Sequence, residues 1–275
     1  MQVMCPEIIE LPWITIRGYG LMIAIGILLG GIVAKREARR RGLHVLDEQF
    51  IWIAMLLAFA GFAGGKLAYV WTEDAGTWPS SFDKEEIAVF LRQGFMFYGT
   101  LIASLVTLAL LLRHFKLPMW ESIDTLALAA PLAHAFGRLG CFMAGCCYGC
   151  TADLAWSVTF TGGQGLNGAA LHPVQLYEAA AELLLFAWLY RRVATRASYP
   201  GQVTLTYLTA YSVIRIGTEL LRGDGNPVVW GDAAAVHTPG LAPLGMTVSQ
   251  ATSLAILAVC VPLGIWARRR TASVA

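Results

Sequence analysis

The chain has 275 residues, of which 57% are hydrophobic and only 14% are charged. A soluble domain carries about 25% charged residues, so this composition excludes an ordinary soluble protein and indicates a membrane protein. The formal net charge of +2 says little by itself, and we expect no nucleic-acid partner.

Seven segments are apolar enough to predict membrane-spanning helices, which need about 20 residues. In chain order they cover residues 19–33, 50–71, 95–112, 123–143, 173–190, 203–221 and 248–266. The first lacks the basic leader of a cleavable signal peptide, so we expect it to remain as a spanning helix. The sequence therefore predicts an all-α polytopic membrane protein in which residues 1–275 form one integral-membrane domain.

The distribution of positive charge predicts the orientation of these seven segments. Basic residues follow the first, third, fifth and seventh segments, whereas the other loops are neutral or acidic. The basic positions are Lys35, Arg36, Arg39, Arg40, Arg41, Arg113, His114, Lys116, Arg191, Arg192, Arg196, Arg268, Arg269 and Arg270. Cytoplasmic loops carry the excess of Lys and Arg, so we expect a periplasmic N-terminus and a cytoplasmic C-terminus.

The fourth and sixth segments contain charged residues that membrane anchoring does not require. Arg138 lies near the end of the fourth segment, within a stretch, residues 134–149, that also holds four glycines and three cysteines. Arg215, Glu219 and Arg222 share one face of the sixth helix. Intramembrane arginines must be paired or face water. These arginines either form ion pairs with a purely structural role or bind a phosphate through several guanidiniums. We favour phosphate binding.

Two further polar positions lie near these arginines in the predicted helices. His134 precedes Arg138 by four residues and shares its helix face. It is either a hydrogen-bonded core histidine or a group that accepts a proton near neutral pH. Glu178 and Glu182 lie one turn apart on the fifth segment, and we expect Arg138 or Arg215 to be their partner.

Four clustered cysteines, Cys141, Cys146, Cys147 and Cys150, allow three interpretations. Their spacing lacks the paired C-x-x-C repeats of a zinc site, so we predict no metal site. Cys147 and Cys150 have the spacing of a redox motif. The interpretation that we favour makes all four small apolar fillers of a glycine-rich helix end.

Four ordered motifs give the chain a resemblance to the bacterial prolipoprotein diacylglyceryl transferases over nearly its whole length. Residues 16–21 look like the family's Arg-x-Tyr-Gly segment, and residues 137–149 are similar to its signature Gly-Arg-x-Gly-Asn-Phe-x-Asn-x-Glu-x-x-Gly. Residues 172–178 look like His-Pro-x-Gln-x-Tyr-Glu, and residues 215–222 match Arg-x-x-x-Glu-x-x-Arg.

The resemblance implies a multi-pass enzyme of the bacterial inner membrane. It would transfer the diacylglyceryl group of phosphatidylglycerol to the lipobox cysteine of a preprolipoprotein, with membrane lipids as its surroundings and no cofactor. Arg138 and Arg215 would be catalytic. The implied lipid- and substrate-binding residues are Tyr19, Gly137, Gly140, Cys141, Gly149, His172, Gln175, Tyr177, Glu178, Glu219 and Arg222. Alternatives are a thiol–disulfide oxidoreductase using Cys147 and Cys150, or a non-catalytic lipid or lipoprotein binder.

Three departures from the family pattern concern the chemistry. The family's His-Gly-Gly at the start of the third span reads Tyr98-Gly-Thr here, and tyrosine is a poor base for a thiol. Cys141 and Cys146 stand where the signature has asparagine and glutamate. We carry Tyr98 over as a positional candidate and propose His134, from helix geometry, as the replacement base.

Overall fold

The computed structural model describes residues 2–4, 7–11, 14–72, 83–84, 86–87, 90, 94, 96–161, 168–224, 228–230 and 245–272. The long helices of this part of the chain are α1 (Gly18–Arg40), α2 (His44–Thr72), α3 (Phe97–His114), α4 (Met119–Ala144), α5 (Val174–Trp188), α6 (Gln202–Glu219) and α7 (Val248–Ala272). A π-helical segment, Leu189–Val193, continues α5. The predicted helical class is therefore confirmed.

Five of these helices are long and apolar enough to cross a membrane, namely α1, α2, α3, α4 and α7. Helix α5 has only 15 residues before its π-helical continuation. Helix α6 has 18 residues but carries Arg215, Glu219 and several threonines, which lower its hydropathy. By length and composition, five of the seven predicted spans are supported; the count of seven and the orientation stay predictions.

Short strands, which the sequence analysis did not predict, join the segments between helices. They are β1 (Gln2–Met4), β2 (Glu7–Leu11), β3 (Ile14–Arg17), β4 (Thr159–Thr161), β5 (Val228–Trp230) and β6 (Met246–Thr247). β1 pairs with β4 in parallel, and the pairs β2–β3 and β5–β6 are antiparallel. These pairings satisfy backbone groups that connecting segments would otherwise leave without partners.

The chain forms two compact units, residues 35–122 and residues 1–34 with 123–275. In the unit of residues 35–122, α2 and α3 approach closely. A methyl group added to Gly99 would overlap the Gly64 carbonyl and the Ala68 side chain. Gly61 likewise faces Thr100 and Ser104, a close approach of the kind that small residues allow between helices in membranes.

Charged side chains in the same unit have partners, and one of them is buried. Lys66 is only 4% exposed, and its Nζ donates hydrogen bonds to the carbonyl oxygens of Phe90 (2.5 Å) and Gly94 (3.2 Å). Asp47 pairs with Lys35 (3.4 Å) and Arg39 (2.6 Å) at the start of α2. Part of the basic block after the first predicted span is thus neutralised locally.

In the other unit, α1 packs against α4 through glycine. Gly26 lies against Ala133 and Phe136, and Gly30 lies against Ala133, as the Gly-x-x-x-Gly spacing predicts. An apolar core joins α4, α5 and α6; its buried members are Leu128, Leu185, Leu189, Val193, Ala194 and Val203.

A buried carboxylate of α4 caps the beginning of α6. Asp124 is completely buried and accepts hydrogen bonds from the backbone N–H groups of Gly201 (2.9 Å) and Thr204 (2.8 Å). The Thr204 hydroxyl donates to it as well, at 2.6 Å. The first N–H groups of a helix have no partner within it, and a negative charge there is favourable. This cap fixes α6, which carries the polar residues described next.

Candidate active site

One buried carboxylate, Glu178, joins arginines from two helices. It is 3% exposed, and its Oε2 pairs with Nε of Arg138. Its Oε1 lies 2.7 Å from Nη1 of Arg215 and accepts a hydrogen bond from the Thr218 hydroxyl at 2.8 Å. Three of the residues predicted for the site are therefore in direct contact, and the expected partner of Glu178 is confirmed.

The second terminal nitrogen of Arg215 is also occupied. Its Nη2 lies 2.7 Å from Oε2 of Glu219 and donates to the Ser249 hydroxyl at 3.0 Å. Glu219 is one turn further along α6, as the helix spacing predicts. Arg215 is thus held on both sides within a site where its side chain is 8% exposed.

Arg222 extends the network to the segment after α6. Its Nε donates to Oδ1 of Asp224 at 2.8 Å, and its Nη2 pairs with the other oxygen; Nε also lies 4.0 Å from Glu219. Burial alone would lower the pKa of Arg222, but the hydrogen bond and charge of Asp224 raise it above its usual range. The sequence analysis did not assign Asp224 to the site, although its position two residues after Arg222 was the available signal.

Arg138 differs from Arg215 because the described residues occupy only part of its N–H donors. Within the described part of the chain it is paired only through Nε, to Glu178, and its two terminal nitrogens have no partner. Its side chain is 13% exposed. A guanidinium held at one edge and open at the other presents a fork that fits the oxygens of a phosphate.

His134 and Glu182 form a second pair beside this network. His134 Nδ1 lies 3.2 Å from Oε1 of Glu182, and its ring packs against Tyr211 with 5.4 Å between centroids. The expectation that an arginine pairs with Glu182 is wrong: this acid lies one turn beyond Glu178 on the same face of α5, and there it meets His134, one turn before Arg138 on α4. A carboxylate that holds one ring nitrogen orients the other, as in catalytic His–acid pairs.

The segment after α4 brings three of the sequence motifs together through its backbone. The Gly149 N–H donates to the His172 carbonyl (3.0 Å), and the His172 N–H donates to the Cys150 carbonyl (3.0 Å). Gly149 also pairs with Arg222. A Cβ on Gly149 would lie 2.5 Å from Cβ of His172, so a side chain would separate these segments.

The remaining polar residues of the fifth-segment motif also contact the segment that follows α4. Gln175 is 1% exposed and donates to the Cys146 carbonyl at 2.7 Å. The Tyr177 hydroxyl accepts a hydrogen bond from Trp156 Nε1 (2.8 Å) and lies 3.4 Å from His172 Nδ1.

Two glycines of α4 have different surroundings. The position of a Cβ on Gly140 lies 3.2 Å from Tyr19 and 3.3 Å from Met22, so this glycine lets α1 approach. A Cβ on Gly137, by contrast, would have nothing within 4 Å apart from the neighbouring residues and backbone of its own helix. The space beside Gly137, on the turn that carries Arg138, is open.

Three cysteines lie together, and a fourth does not join them. The Sγ atoms of Cys141, Cys146 and Cys147 all lie within 4.8 Å of one another. Cys150 is buried, which raises the pKa of its thiol, and it forms no disulfide. Hydrogen bonds with Cys141 and Cys146, and after them the nearby arginines, lower the pKa of Cys147. Cys147 and Cys150, whose spacing allowed a redox pair, are both free thiols in this structure.

Tyr98 belongs to the other compact unit. It lies in the first turn of α3, where its ring contacts that of Phe97 in an edge-on arrangement with 5.7 Å between centroids. It remains a candidate by its position in the sequence alone.

A separate cavity of about 580 Å³ lies between α5, α6 and α7. Its lining includes Tyr199, Gln202, Thr206 and Arg268, and none of the residues of the arginine network. We therefore assign the candidate functional site to the arginine network, which holds the buried charged side chains, and not to this cavity.

The fold and the site together define a helical membrane protein with a buried arginine–carboxylate network suited to a phosphate-bearing ligand. The sequence profile of the prolipoprotein diacylglyceryl transferase family matches residues 6–266. The chain belongs to this family.

Curated relatives agree with this assignment over most of the chain. A phosphatidylglycerol–prolipoprotein diacylglyceryl transferase of Clostridium tetani is 35% identical, with 80% of this chain and 86% of the relative aligned. Proteins of the same name from Sinorhizobium medicae and Thermosynechococcus vestitus are 32% and 30% identical. The alignments cover 98% and 78% of this chain and 93% and 81% of those relatives. The resemblance inferred from the four motifs is thus confirmed, and the chain is a membrane transferase.

Proposed function

We propose that the chain transfers the diacylglyceryl group of phosphatidylglycerol to the lipobox cysteine thiol of a preprolipoprotein. The products are a thioether-linked lipid and glycerol phosphate. Family membership and the names of the relatives support this reaction. The observation that carries it in this chain is the Arg138–Glu178–Arg215 bridge, which leaves the terminal nitrogens of Arg138 for a phosphate.

The chemical step breaks a carbon–oxygen bond and forms a carbon–sulfur bond. The acceptor thiolate attacks the glyceryl carbon next to the phosphate ester, and the electron pair of the broken bond leaves on the phosphate oxygen. Arg138 contacts that phosphate directly, and Arg215 adds its charge through the shared Glu178. Preorganised charges in a site of low dielectric constant are the kind that stabilise such developing negative charge.

The thiol must lose its proton before it attacks, since the thiolate is the nucleophile. We assign this proton to Nε2 of His134, because Nδ1 is held by Glu182 at 3.2 Å. Tyr98, which stands at the position of the family's histidine, is the competing candidate. The two are separable by mutation.

The other predicted site residues shape the binding region. Gly137 leaves room for the lipid beside Arg138, and Tyr19, packed on Gly140, lies near the headgroup. The residues that hold the surrounding segments are Cys141, Gly149, His172, Gln175, Tyr177, Glu219 and Arg222. We place the site in the outer half of the bacterial inner membrane, where both phosphatidylglycerol and exported lipobox peptides are available.

The proposal is tested with the purified full-length chain, phosphatidylglycerol in detergent micelles and a synthetic lipobox peptide. We expect the peptide to gain the mass of one diacylglyceryl group. Arg138→Ala should abolish that gain. Arg113→Ala, at the end of α3 and outside the network, is the matched control and should leave it intact.

Two further variants locate the base. His134→Gln should reduce the rate by about 100-fold or more, as removal of a general base does, whereas His114→Gln should not. A full rate in His134→Gln together with a lost rate in Tyr98→Phe would assign the base to Tyr98. No product with unmutated protein, under conditions where a relative is active, would refute the transfer reaction itself.

A further inference from the structure

Although the sequence spacing of the cysteines predicted no metal site, we infer from their arrangement in space that Cys141, Cys146 and Cys147 bind a soft, thiophilic metal ion of the Zn²⁺ class through all three sulfur atoms. The three Sγ atoms already lie within 4.8 Å of one another. At a Zn–S distance of about 2.3 Å, tetrahedral ligands lie about 3.8 Å apart. Small rotations of the side chains would therefore bring the sulfurs to ligand distances.

The end of α4 is folded in a way that gathers these thiols. Cys141 is in the last turn of the helix, which closes with hydrogen bonds from Gly145 N–H to the Phe142 carbonyl and from Cys146 N–H to the Cys141 carbonyl, both 3.2 Å. Gly145 and Cys147 both have left-handed backbone conformations, with φ of 68° and 61°. These two left-handed residues turn the chain back on the helix end, so that Cys146 and Cys147 approach Cys141.

The conformation of Cys147 is itself informative. A residue with a Cβ rarely adopts positive φ, because its Cβ then lies too close to the neighbouring carbonyl oxygen. Such strain collects at ligand-binding and catalytic positions. The segment is also fixed from α5, since Gln175 donates to the Cys146 carbonyl at 2.7 Å. The thiols are thus preorganised by the backbone.

The electrostatic surroundings suit a thiolate–metal centre. Three thiolates around a divalent ion carry one net negative charge, and both Arg138 and Arg222 act on Cys147 with positive charge. Among the described residues, no carboxylate or imidazole joins the three sulfurs. An all-sulfur donor set selects soft ions such as Zn²⁺, Cd²⁺ or Cu⁺ over Mg²⁺ and Ca²⁺.

The site offers three protein ligands, which leaves a fourth coordination position for solvent or a small exogenous ligand. Cys146 is exposed, and Cys141 and Cys147 are half-buried, so an ion can reach the cluster from solvent. The metal ion is proposed as a ligand of the three thiols, with no role assigned to it in lipid transfer. The test therefore measures metal binding and not the rate of transfer.

The experiment titrates Cd²⁺ into the full-length protein in detergent, after reduction and anaerobic removal of the reductant. Cys5, which lies outside the described residues, is first changed to Ser in all samples. We expect a sulfur-to-metal charge-transfer band that saturates at one equivalent of Cd²⁺, with no competition from Mg²⁺. Cys141→Ser, Cys146→Ser and Cys147→Ser should each weaken binding more than the roughly 100-fold caused by loss of an outer-shell partner.

Cys150→Ser and Cys260→Ser are the matched controls and should bind Cd²⁺ as their parent does. A second readout needs no substitution in the cluster: Cd²⁺ should protect Cys141, Cys146 and Cys147 together from maleimide labelling, as mapped by peptide mass. The inference is overturned by the absence of a band at one equivalent, by a band that survives Cys141→Ser, or by a disulfide among the three cysteines that persists after reduction.

Discussion

At the scale of single residues, Glu178 is the contact point between two buried arginines. One of its oxygens pairs with Arg138 and the other pairs with Arg215. The Thr218 hydroxyl donates a hydrogen bond to the oxygen that pairs with Arg215. Removing one charge from such a buried group leaves the others without compensation, which is costly. The carboxylate thus orients both guanidiniums and balances part of their positive charge within the protein interior.

We predict that Glu178→Gln, which keeps the shape and removes the charge, lowers the free energy of unfolding by about 3–5 kcal/mol. It should also reduce transfer by about 100-fold, because the guanidiniums lose their orientation. Thermal unfolding in detergent and the initial rate of peptide lipidation measure these effects. Asp153→Asn, at an exposed acid of the same unit, should change neither, and wild-type stability in Glu178→Gln would contradict the bridging role.

A second residue-scale prediction concerns the open space beside Gly137. Gly137→Ala and Gly217→Ala each add a methyl group inside a helix at a position where nothing lies within 4 Å. Both should stabilise the fold by about 0.5–1 kcal/mol, as alanine does in helices. Only Gly137→Ala should slow the reaction, by roughly tenfold, or about 1.4 kcal/mol of activation free energy.

Initial rates over a range of phosphatidylglycerol concentrations distinguish the two glycine variants. Equal rates in both would show that the lipid does not occupy the space next to Gly137, and the binding region would have to be sought elsewhere around Arg138.

At the scale of helices, the position of α6 depends on a residue of α4. Asp124 accepts three hydrogen bonds at the first turn of α6, and α6 carries Arg215 and Glu219 in the last turns at its other end. A change at this cap is therefore transmitted to the site as a shift of the helix.

We predict that Asp124→Ala lowers the free energy of unfolding by about 1–3 kcal/mol, because buried donors of α6 lose their acceptor. It should also reduce the rate of lipidation although Asp124 has no contact with the arginine network. Denaturant or thermal unfolding and the peptide assay test both parts. Glu48→Ala, at an exposed acid of α2, is the control, and a stability equal to wild type would show that α6 does not need this cap.

At the scale of the whole molecule, the charge distribution predicts how the chain lies in the membrane. Seven spans with basic residues after every odd-numbered one place the C-terminus in the cytoplasm. A fluorescent protein fused after Ala275 should therefore fluoresce, and alkaline phosphatase fused there should be inactive. Phosphatase fused after Asp224, beyond the sixth predicted span, should be active.

The opposite pattern of reporter activity would place the C-terminus outside the cytoplasm, and active phosphatase at both positions would reduce the span count by one. The length of α5 and the composition of α6 fall short of an independent spanning helix. The fusion after Asp224 reports on these two helices together, because that position would lie in the cytoplasm if only one of them crossed the membrane.

Much of the fold and part of the site could be predicted from the sequence, because they depend on properties local to one segment. Apolar runs predict α1 to α4 and α7, and the motifs predict the family. The contact of Arg215 with Glu219 also follows from sequence, since residues four apart in a helix are neighbours. The short strands were missed because two to five residues are too few for a clear alternation signal, and because β1 pairs with β4, a segment distant in the chain.

What the sequence by itself determined is therefore the class of protein, its helices and the set of charged residues that must find partners. The tertiary structure determined which residues pair: Glu178 with Arg138 and Arg215, and Glu182 with His134. It also decided that three thiols meet and that Asp124 caps another helix. The reason is physical. Helical periodicity fixes neighbours within a helix, but contacts between helices depend on their rotation and axial register, which only the packing of the whole unit sets.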